Sequence, residues 1–438
     1  MRQSDQANCQ GGGRRQVFWR RLLGWGGAVI GAVLVGSIPT GTAHQPITTQ
    51  VMFNREIIRI LDRNCLACHS PGHLKADIPL TTYRQARPWA KAIKEEVLER
   101  RMVPFQVVKG YGEFRNPYSL TQREQELLLS WIEGGAPKGD EKDYPQASIR
   151  ARLRGEWLAG KEPDHWLPIP EAVRIPAGMA HLDRCVVVEA GNKAPFWVEQ
   201  FDFLPGNREV VSRADYFLAP AGRAGGDPCA WPAARLAPIG NWVPGAVSTA
   251  LPPGMGYRIP AAARLVIRLR YQGIDRETTD QSRLGWHLMP GTTPGLAPLA
   301  VGHQRLAGPA GIALQDGERQ RRVSFSEEIR QERQAIGLRP LLFPYATSIE
   351  VKLERPDGAS EVLLVARGYR YDWQPAYHFK QPVQLPRGSR LHVIAYLDNS
   401  AENPALAERT RRRVLFREPL LELISAPRAV SPTTAYSN

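Results

Sequence analysis

Cys65-Leu66-Ala67-Cys68-His69 is the stretch on which the reading of this chain turns. Two thiols three residues apart, with a histidine directly after them, make the C-x-x-C-H pattern through which a c-type haem is attached. The chemistry asks for each part. The thiols add across two vinyl groups of the porphyrin as thioethers, and the imidazole that follows sits under the iron as proximal ligand. A C-x-x-C redox disulfide is the rival reading, and it leaves His69 and the pattern downstream without a role. Cys65 and Cys68 are therefore the expected attachment residues and His69 the expected axial ligand.

A second axial ligand is expected at Met102, in Arg101-Met102-Val103-Pro104-Phe105 and 33 residues beyond His69. A thioether opposite an imidazole favours reduced iron and raises the potential, which suits electron transfer. The ordinary role of a lone Met is core filling. The chain has six Met, and Met52, Met179, Met255 and Met289 lack comparable spacing. Tyr83, Pro88, Trp89 and Phe105 are candidates for an apolar pocket around the haem.

The N-terminus reads as an export segment. Arg14, Arg15, Arg20 and Arg21 precede an uncharged run from Leu22 to Ala43, with Gly41-Thr42-Ala43 as a cleavage site. The same run is nearly long enough to span a bilayer if it stays uncleaved, so a membrane anchor remains the alternative. Attachment of a c-type haem takes place outside the cytoplasm, which agrees with export. The periplasm, or the outer face of the cytoplasmic membrane, is the expected location.

In this compartment the five cysteines sort themselves. Cys65 and Cys68 belong to the haem motif, and Cys9 lies ahead of the export core. Cys185 and Cys229 remain as an even pair in an oxidising compartment, for which a disulfide is the simplest reading and two buried free thiols the alternative.

The chain of 438 residues carries a formal net charge of +14. Residues 1–43 hold five Arg and one Asp, or +4, which leaves about +10 for the rest. A basic electron carrier is suited to an acidic redox partner or to a membrane redox complex, because long-range attraction speeds encounter. Nucleic acid is not expected, since the Arg residues are scattered among strands and the chain reads as exported.

Residues 50–138 read as a small helical domain. Ile57, Ile58, Ile60 and Leu61 lead an apolar face into the haem motif. A second helix spans Trp89 to Arg100. A third opens on the capping box Thr121–Glu124, buries Leu127, Leu128, Trp131 and Ile132, and stops at Gly134-Gly135 and Pro137. Residues 139–160 read as a linker. Beyond it come short alternating runs: Cys185 to Val188, Leu265 to Leu269, Ile349 to Leu353, Val362 to Val365 and Leu391 to Ala395, with a turn at Arg355-Pro356-Asp357-Gly358. Glu318 to Arg333, charged and weakly periodic, reads as a break between two β domains, 161–310 and 311–430. The expected fold is thus multidomain: an N-terminal all-α domain followed by all-β tandem β-sandwich domains.

The helical layout around the motif resembles a class I cytochrome c. The chain from about residue 50 to 425 is similar to a bacterial arrangement in which a cytochrome c precedes a copper type II, ascorbate-dependent monooxygenase module, related to peptidylglycine α-hydroxylating and dopamine β-monooxygenases. The resemblance is carried by the run from Leu80 to Ile93 (LTTYRQARPWAKAI), by Trp131 to Pro137 (WIEGGAP), by Pro205-Gly206-Asn207-Arg208, by Pro356-Asp357-Gly358 and by Leu397 to Pro404 (LDNSAENP). It implies two β-sandwich copper domains, one with three His ligands and one with two His and a Met. This chain departs from the pattern at those ligands. Ser212 and Arg213 stand for adjacent histidines and Arg270 for the third. Tyr345-Ala346-Thr347 replaces the His-x-His, and no Met follows Met289, so the Leu420 to Leu423 region lacks the Met. Copper needs several imidazoles or thioethers converging on one point, and the six His of the β part are dispersed singles, so copper is not expected. Cations at Arg213 and Arg270 oppose metal and are suited to an anion or an acidic partner.

The function that follows is an exported c-type cytochrome moving single electrons through one covalent haem, with a copper-free β module as scaffold or docking surface, alone or within a larger redox complex. The alternative is a copper-dependent monooxygenase fed by its own cytochrome.

Overall fold

The computed structural model describes residues 49–428, apart from 103–105, 117, 158–159, 220–225, 232–235, 247, 291–297, 309–310, 342–343, 369–372, 404–405, 407–413 and 417–418. The expected export segment at 1–43 and the expected pocket residue Phe105 lie outside the described residues.

The helices are short. A π-turn at Phe53–Ile57 runs into α1 (Ile58–Asn64), and α2 (Tyr83–Ala86), α3 (Ala90–Leu98), α4 (Gln122–Glu133) and α5 (Gln146–Leu153) follow. Local chemistry sets their starts. At α4 the Thr121 side chain accepts from the Glu124 amide at 3.2 Å, while the Glu124 carboxylate accepts from the Thr121 amide at 2.8 Å. A second box, Thr82 with Gln85, starts α2. These helices bury Phe53, Ile57, Leu61, Leu66, Leu128 and Trp131 in one small core. The Trp131 indole nitrogen donates to the Pro137 carbonyl at 3.0 Å, which ties the end of α4 to the chain that leaves it. Among the described residues no helix is long and apolar enough to cross a membrane.

Most of the chain is β-sheet. One four-stranded antiparallel sheet takes the order His181–Glu189, Arg264–Gln272, Val211–Leu218, Ala237–Trp242. It shares a core with a five-stranded sheet ordered Leu299–Ala300, Met255–Ile259, Phe196–Leu204, Arg283–Leu288, His165–Pro168. The alternation in Arg264–Gln272 explains the layering: Leu265, Ile267, Leu269 and Tyr271 are fully buried inward, while Arg264, Arg268 and Arg270 face outward. A second pair of sheets encloses the other large core. Its five-stranded member runs Gln106–Val107, Ser360–Arg367, Ala346–Glu354, Arg390–Leu397, Arg321–Glu328, and its four-stranded member runs Gly302–Ala307, Pro419–Pro427, Arg333–Pro340, Tyr377–Leu385. Ile336, Ile424 and Ala426 from this second pair pack into the first core, so apolar contact joins the two.

The structure corrects the expected fold class. The chain is predominantly β, its helices are short, and the segment that carries them is not an all-α domain. Gln106 and Val107 pair with Arg367 and Ala366 at the edge of the C-terminal sheet. Phe114 bridges to Phe379, and the Arg115 amide donates to the His378 carbonyl at 2.8 Å. Val107 and Phe114 belong to the C-terminal core. Gly112 shows how close the approach is: at φ +71°, a Cβ there would lie 2.1 Å from the Leu363 carbonyl oxygen. Pro46–Asn438 accordingly makes one compact unit. The physical reason is edge satisfaction. The edge strand Ser360–Arg367 presents unpaired backbone groups, and Gln106–Val107 covers part of them.

Two other stretches also differ from the reading above. Residues 139–160 contain a 3-10 turn at Glu141–Asp143 and helix α5. The supposed break at Glu318 to Arg333 contains the edge strand Arg321–Glu328, in which Val323 is the buried residue.

Candidate functional site

The C-x-x-C-H motif lies at the C-terminal end of α1, where the chain leaves the helix in tight turns. The Cys65 and Leu66 amides donate to the Leu61 carbonyl, and the Cys68 and His69 amides donate to that of Cys65, at 3.1 and 2.9 Å. The Ser70 hydroxyl donates to the Leu66 carbonyl at 2.7 Å. The loop then closes on itself, with the Leu80 amide donating to the His69 carbonyl at 2.9 Å. Leu66 is fully buried, Cys65, Cys68 and His69 are half-buried, and Cys65 packs against the helical core.

His69 is oriented by one bond. Its Nδ1 lies 3.0 Å from the Ile78 carbonyl oxygen. A carbonyl only accepts, so Nδ1 carries the proton and Nε2 keeps its lone pair. This is the backbone support that iron- and zinc-binding imidazoles commonly have. Burial lowers the His69 pKa, partly countered by the same bond to Ile78, so the neutral, ligating form is favoured. Cys65 and Cys68 are not joined in a disulfide, and burial, then the neighbouring Cys68, pushes Cys65 up to about 12. The donor set therefore fits a haem: two reduced thiols at thioether spacing and one imidazole with a free Nε2.

The other expected residues are placed less tightly. The Met102 amide donates to the Glu96 carbonyl at 3.2 Å, just beyond α3. Tyr83 packs edge-on against Phe53 at 5.7 Å and its hydroxyl donates to the Ala136 carbonyl at 3.0 Å, so it is part of the helical core. Pro88 is exposed, and Trp89 is 38 % exposed. The β part reaches the motif directly. A Cβ on Gly245 would touch that of Ala67 at 3.4 Å, and the Gln272 amide donates to the Leu74 carbonyl at 3.0 Å.

Cys185 and Cys229 form a disulfide with Cα atoms 5.2 Å apart, tying the strand His181–Glu189 to the turn at Pro228–Ala230. Ser212, Arg213 and Arg270 lie on two adjacent strands, and each is engaged within the protein. The Ser212 hydroxyl donates to the Arg270 carbonyl at 3.0 Å. Arg213 pairs with Asp215 at 2.8 Å and donates to Gln374 at 2.7 Å. Arg270 grips Asp183 through two bonds of 2.8 Å. Ala346, Leu420, Leu421 and Leu423 are core residues.

Sequence reasoning missed the polar network that joins the two β cores. Buried Asp215 pairs with both Arg213 and Arg339, and Glu422 accepts from His303 at 2.9 Å while lying 3.8 Å from Arg339. His303 in turn meets the Tyr257 hydroxyl at 3.0 Å. Burial alone would raise both acids. Arg213 and Arg339 overcome it at Asp215 and hold it well below the carboxylate range, and His303, with Arg339 and Arg305, brings Glu422 down to about 2. Other His residues of the β part have similar partners, His287 with Asp202 at 2.6 Å and His392 with Glu354 at 2.9 Å. Among the described residues no group of three or more His, Cys, Asp and Glu is disposed to hold a metal ion.

No family model matches the chain, and no curated protein matches it. Solved structures give weak likenesses. The infectious bursal disease virus Gx strain structure is 10 % identical over 64 % of this chain and 77 % of its own, at TM-score 0.19. An allantoicase from Saccharomyces cerevisiae is 9 % identical over 51 % and 78 %, at TM-score 0.16. A two-domain protein of unknown function from Bacteroides fragilis is 9 % identical over 57 % and 86 %, at TM-score 0.15. At such scores the likenesses define no shared fold.

Proposed function

We propose that this chain is an exported c-type cytochrome that carries single electrons, with one haem held covalently by Cys65 and Cys68. The observation that carries the reading is the Nδ1 bond of His69 to the Ile78 carbonyl at 3.0 Å, beside two cysteines at the required spacing that are not joined in a disulfide. When bound, haem supplies a one-electron ferric/ferrous couple whose potential its axial ligands tune. The residues of this chain do the rest. Cys65 and Cys68 anchor the group, and His69 offers Nε2 to the iron. Met102 is the proposed sixth ligand, which would raise the potential relative to a second imidazole.

The β part serves as scaffold and docking surface. Its contacts at Gly245 and Gln272 brace the loop that bears the motif. The net charge of +14 favours an acidic redox partner or a membrane redox complex, and the basic, apolar N-terminus supports a location in the periplasm or at the outer face of the cytoplasmic membrane.

The test is production of the full chain in a host able to attach c-type haem. The protein should keep one haem through acid–acetone extraction, and Cys65→Ala with Cys68→Ala should lose it. Metal analysis should find about one iron per chain and no copper. Haem that is extracted freely, or stoichiometric copper in the β part, would overturn the reading.

A further inference from the structure

The cations that the sequence places at Arg213 and Arg270 are engaged with Asp215 and Asp183. Two further guanidinium groups, those of Arg268 and Arg305, lie at Phe217, and Arg305 is in a loose ion pair with Glu422. Arg268 comes from the outward face of Arg264–Gln272 and lies 5.7 Å from the centre of the Phe217 ring. Among the described residues no carboxylate hydrogen bonds to it. Arg305 comes from Gly302–Ala307 of the second pair of sheets and lies 5.3 Å from the same ring. Its Nε is buried and makes no hydrogen bond. The nearest carboxylate oxygen, Oε2 of Glu422, is 3.6 Å away, too far for a hydrogen bond, and is itself without one.

Charge does not balance here. Among the described residues five guanidinium groups (Arg213, Arg268, Arg270, Arg305, Arg339) face three carboxylates (Asp183, Asp215, Glu422). Glu422 is shared further with His303. Stacking on Phe217 offsets the cost of desolvating a guanidinium only in part. Arg305 is 22 % exposed and Arg268 is half-buried, so each keeps some contact with solvent.

We propose that Arg268 and Arg305 bind a small oxyanion, carrying two negative charges, beside Phe217 and between the two pairs of sheets. Guanidinium groups suit this ligand because their paired N–H donors match carboxylate and phosphate oxygens. The shared chemistry admits a dicarboxylate or inorganic phosphate as the source. The site needs no haem and stands apart from the electron-transfer reading.

The experiment titrates the full-length protein calorimetrically with inorganic phosphate and, separately, with succinate at constant ionic strength. At least one probe should bind with a stoichiometry near one, and the one that binds names the source. Arg268→Gln and Arg305→Gln should each weaken it at least about tenfold. Arg268→Lys keeps the charge and the packing stem but loses the fork, so it should also weaken binding while the circular dichroism spectrum and melting temperature stay as in the parent. Arg264→Gln, on the same strand face, should change affinity by no more than about twofold. Absence of binding by both probes, or an equal loss in Arg264→Gln, would overturn the proposal.

Discussion

His69 and Ile78 are joined by a single bond, Nδ1 to carbonyl oxygen at 3.0 Å, that decides what the imidazole is able to do. The acceptor belongs to the backbone nine residues on, in the same loop whose return is fixed by the Leu80 amide on the His69 carbonyl. The tautomer is thus written into the loop closure and does not depend on any neighbouring carboxylate. Cys65, by contrast, is a thiol whose surroundings disfavour ionisation.

That state is measurable. Burial pushes the Cys65 thiol up to about 12, so at pH 8 the thiolate fraction is only about one in ten thousand. Haem-free protein should therefore alkylate at Cys65 far more slowly than it does after unfolding in urea. Mass mapping after a timed pulse of iodoacetamide checks this, and modification at equal rates in the two states would rule it out.

The disulfide between Cys185 and Cys229 closes a loop over a sequence separation of 44 residues. A bridge of that span stabilises a domain by about 2–4 kcal/mol, chiefly through the unfolded chain. Replacing both cysteines by serine should lower the unfolding free energy of the β part by that amount in denaturant titrations. Because the bridge is far from the haem motif in sequence, the absorption spectrum of the loaded protein should not change.

Arg339 is 2 % exposed and serves two acids, Asp215 and Glu422. Removing one partner of a buried pair leaves an uncompensated charge and costs roughly 3–5 kcal/mol. Arg339→Met should show a loss of that order in urea unfolding, and a change below about 1 kcal/mol would mean that the network contributes little.

These cases mark how far the sequence could be read. The alternation at Cys185 to Val188 and Leu265 to Leu269 gave real strands, extended in the structure to His181–Glu189 and Arg264–Gln272. The turn at Arg355 to Gly358 joins a real hairpin, and Thr121 caps a real helix. All of these are local signals. The pairing of Gln106–Val107 with residues near Arg367 was not legible, because a two-residue strand has no period and its partner is distant in sequence. Asp215 with Arg339, and Glu422 with His303, escaped for a related reason: which charges meet across two sheets depends on register, and no local pattern encodes it. Arg321 to Glu328 looked like a break because edge strands often carry charges, a known defence against edge pairing.

Acid should unfold the β part in two stages, and the signs follow from the direction of each shift. His378 is half-buried with its Nδ1 sealed from water and unpartnered. Burial, then the nearby His303 and Arg115, lowers its pKa from 6.5 to about 4. The folded state thus takes up a proton later than the unfolded chain. Its contribution is complete above pH 6.5 and is lost as pH falls toward 4, by roughly 1–2 kcal/mol given its partial exposure. Glu422, depressed from 4.5 to about 2, adds stability that is present above pH 4.5 and lost as pH falls toward 2, and Asp215 behaves likewise at still lower pH. Unfolding free energies measured by urea from pH 8 to pH 3 should therefore decline first between 6.5 and 4, then more steeply. In His378→Gln the first decline should shrink while the second persists. A variant whose curve overlays that of the parent from pH 7 to pH 4 would show that the buried imidazole is not the group responsible.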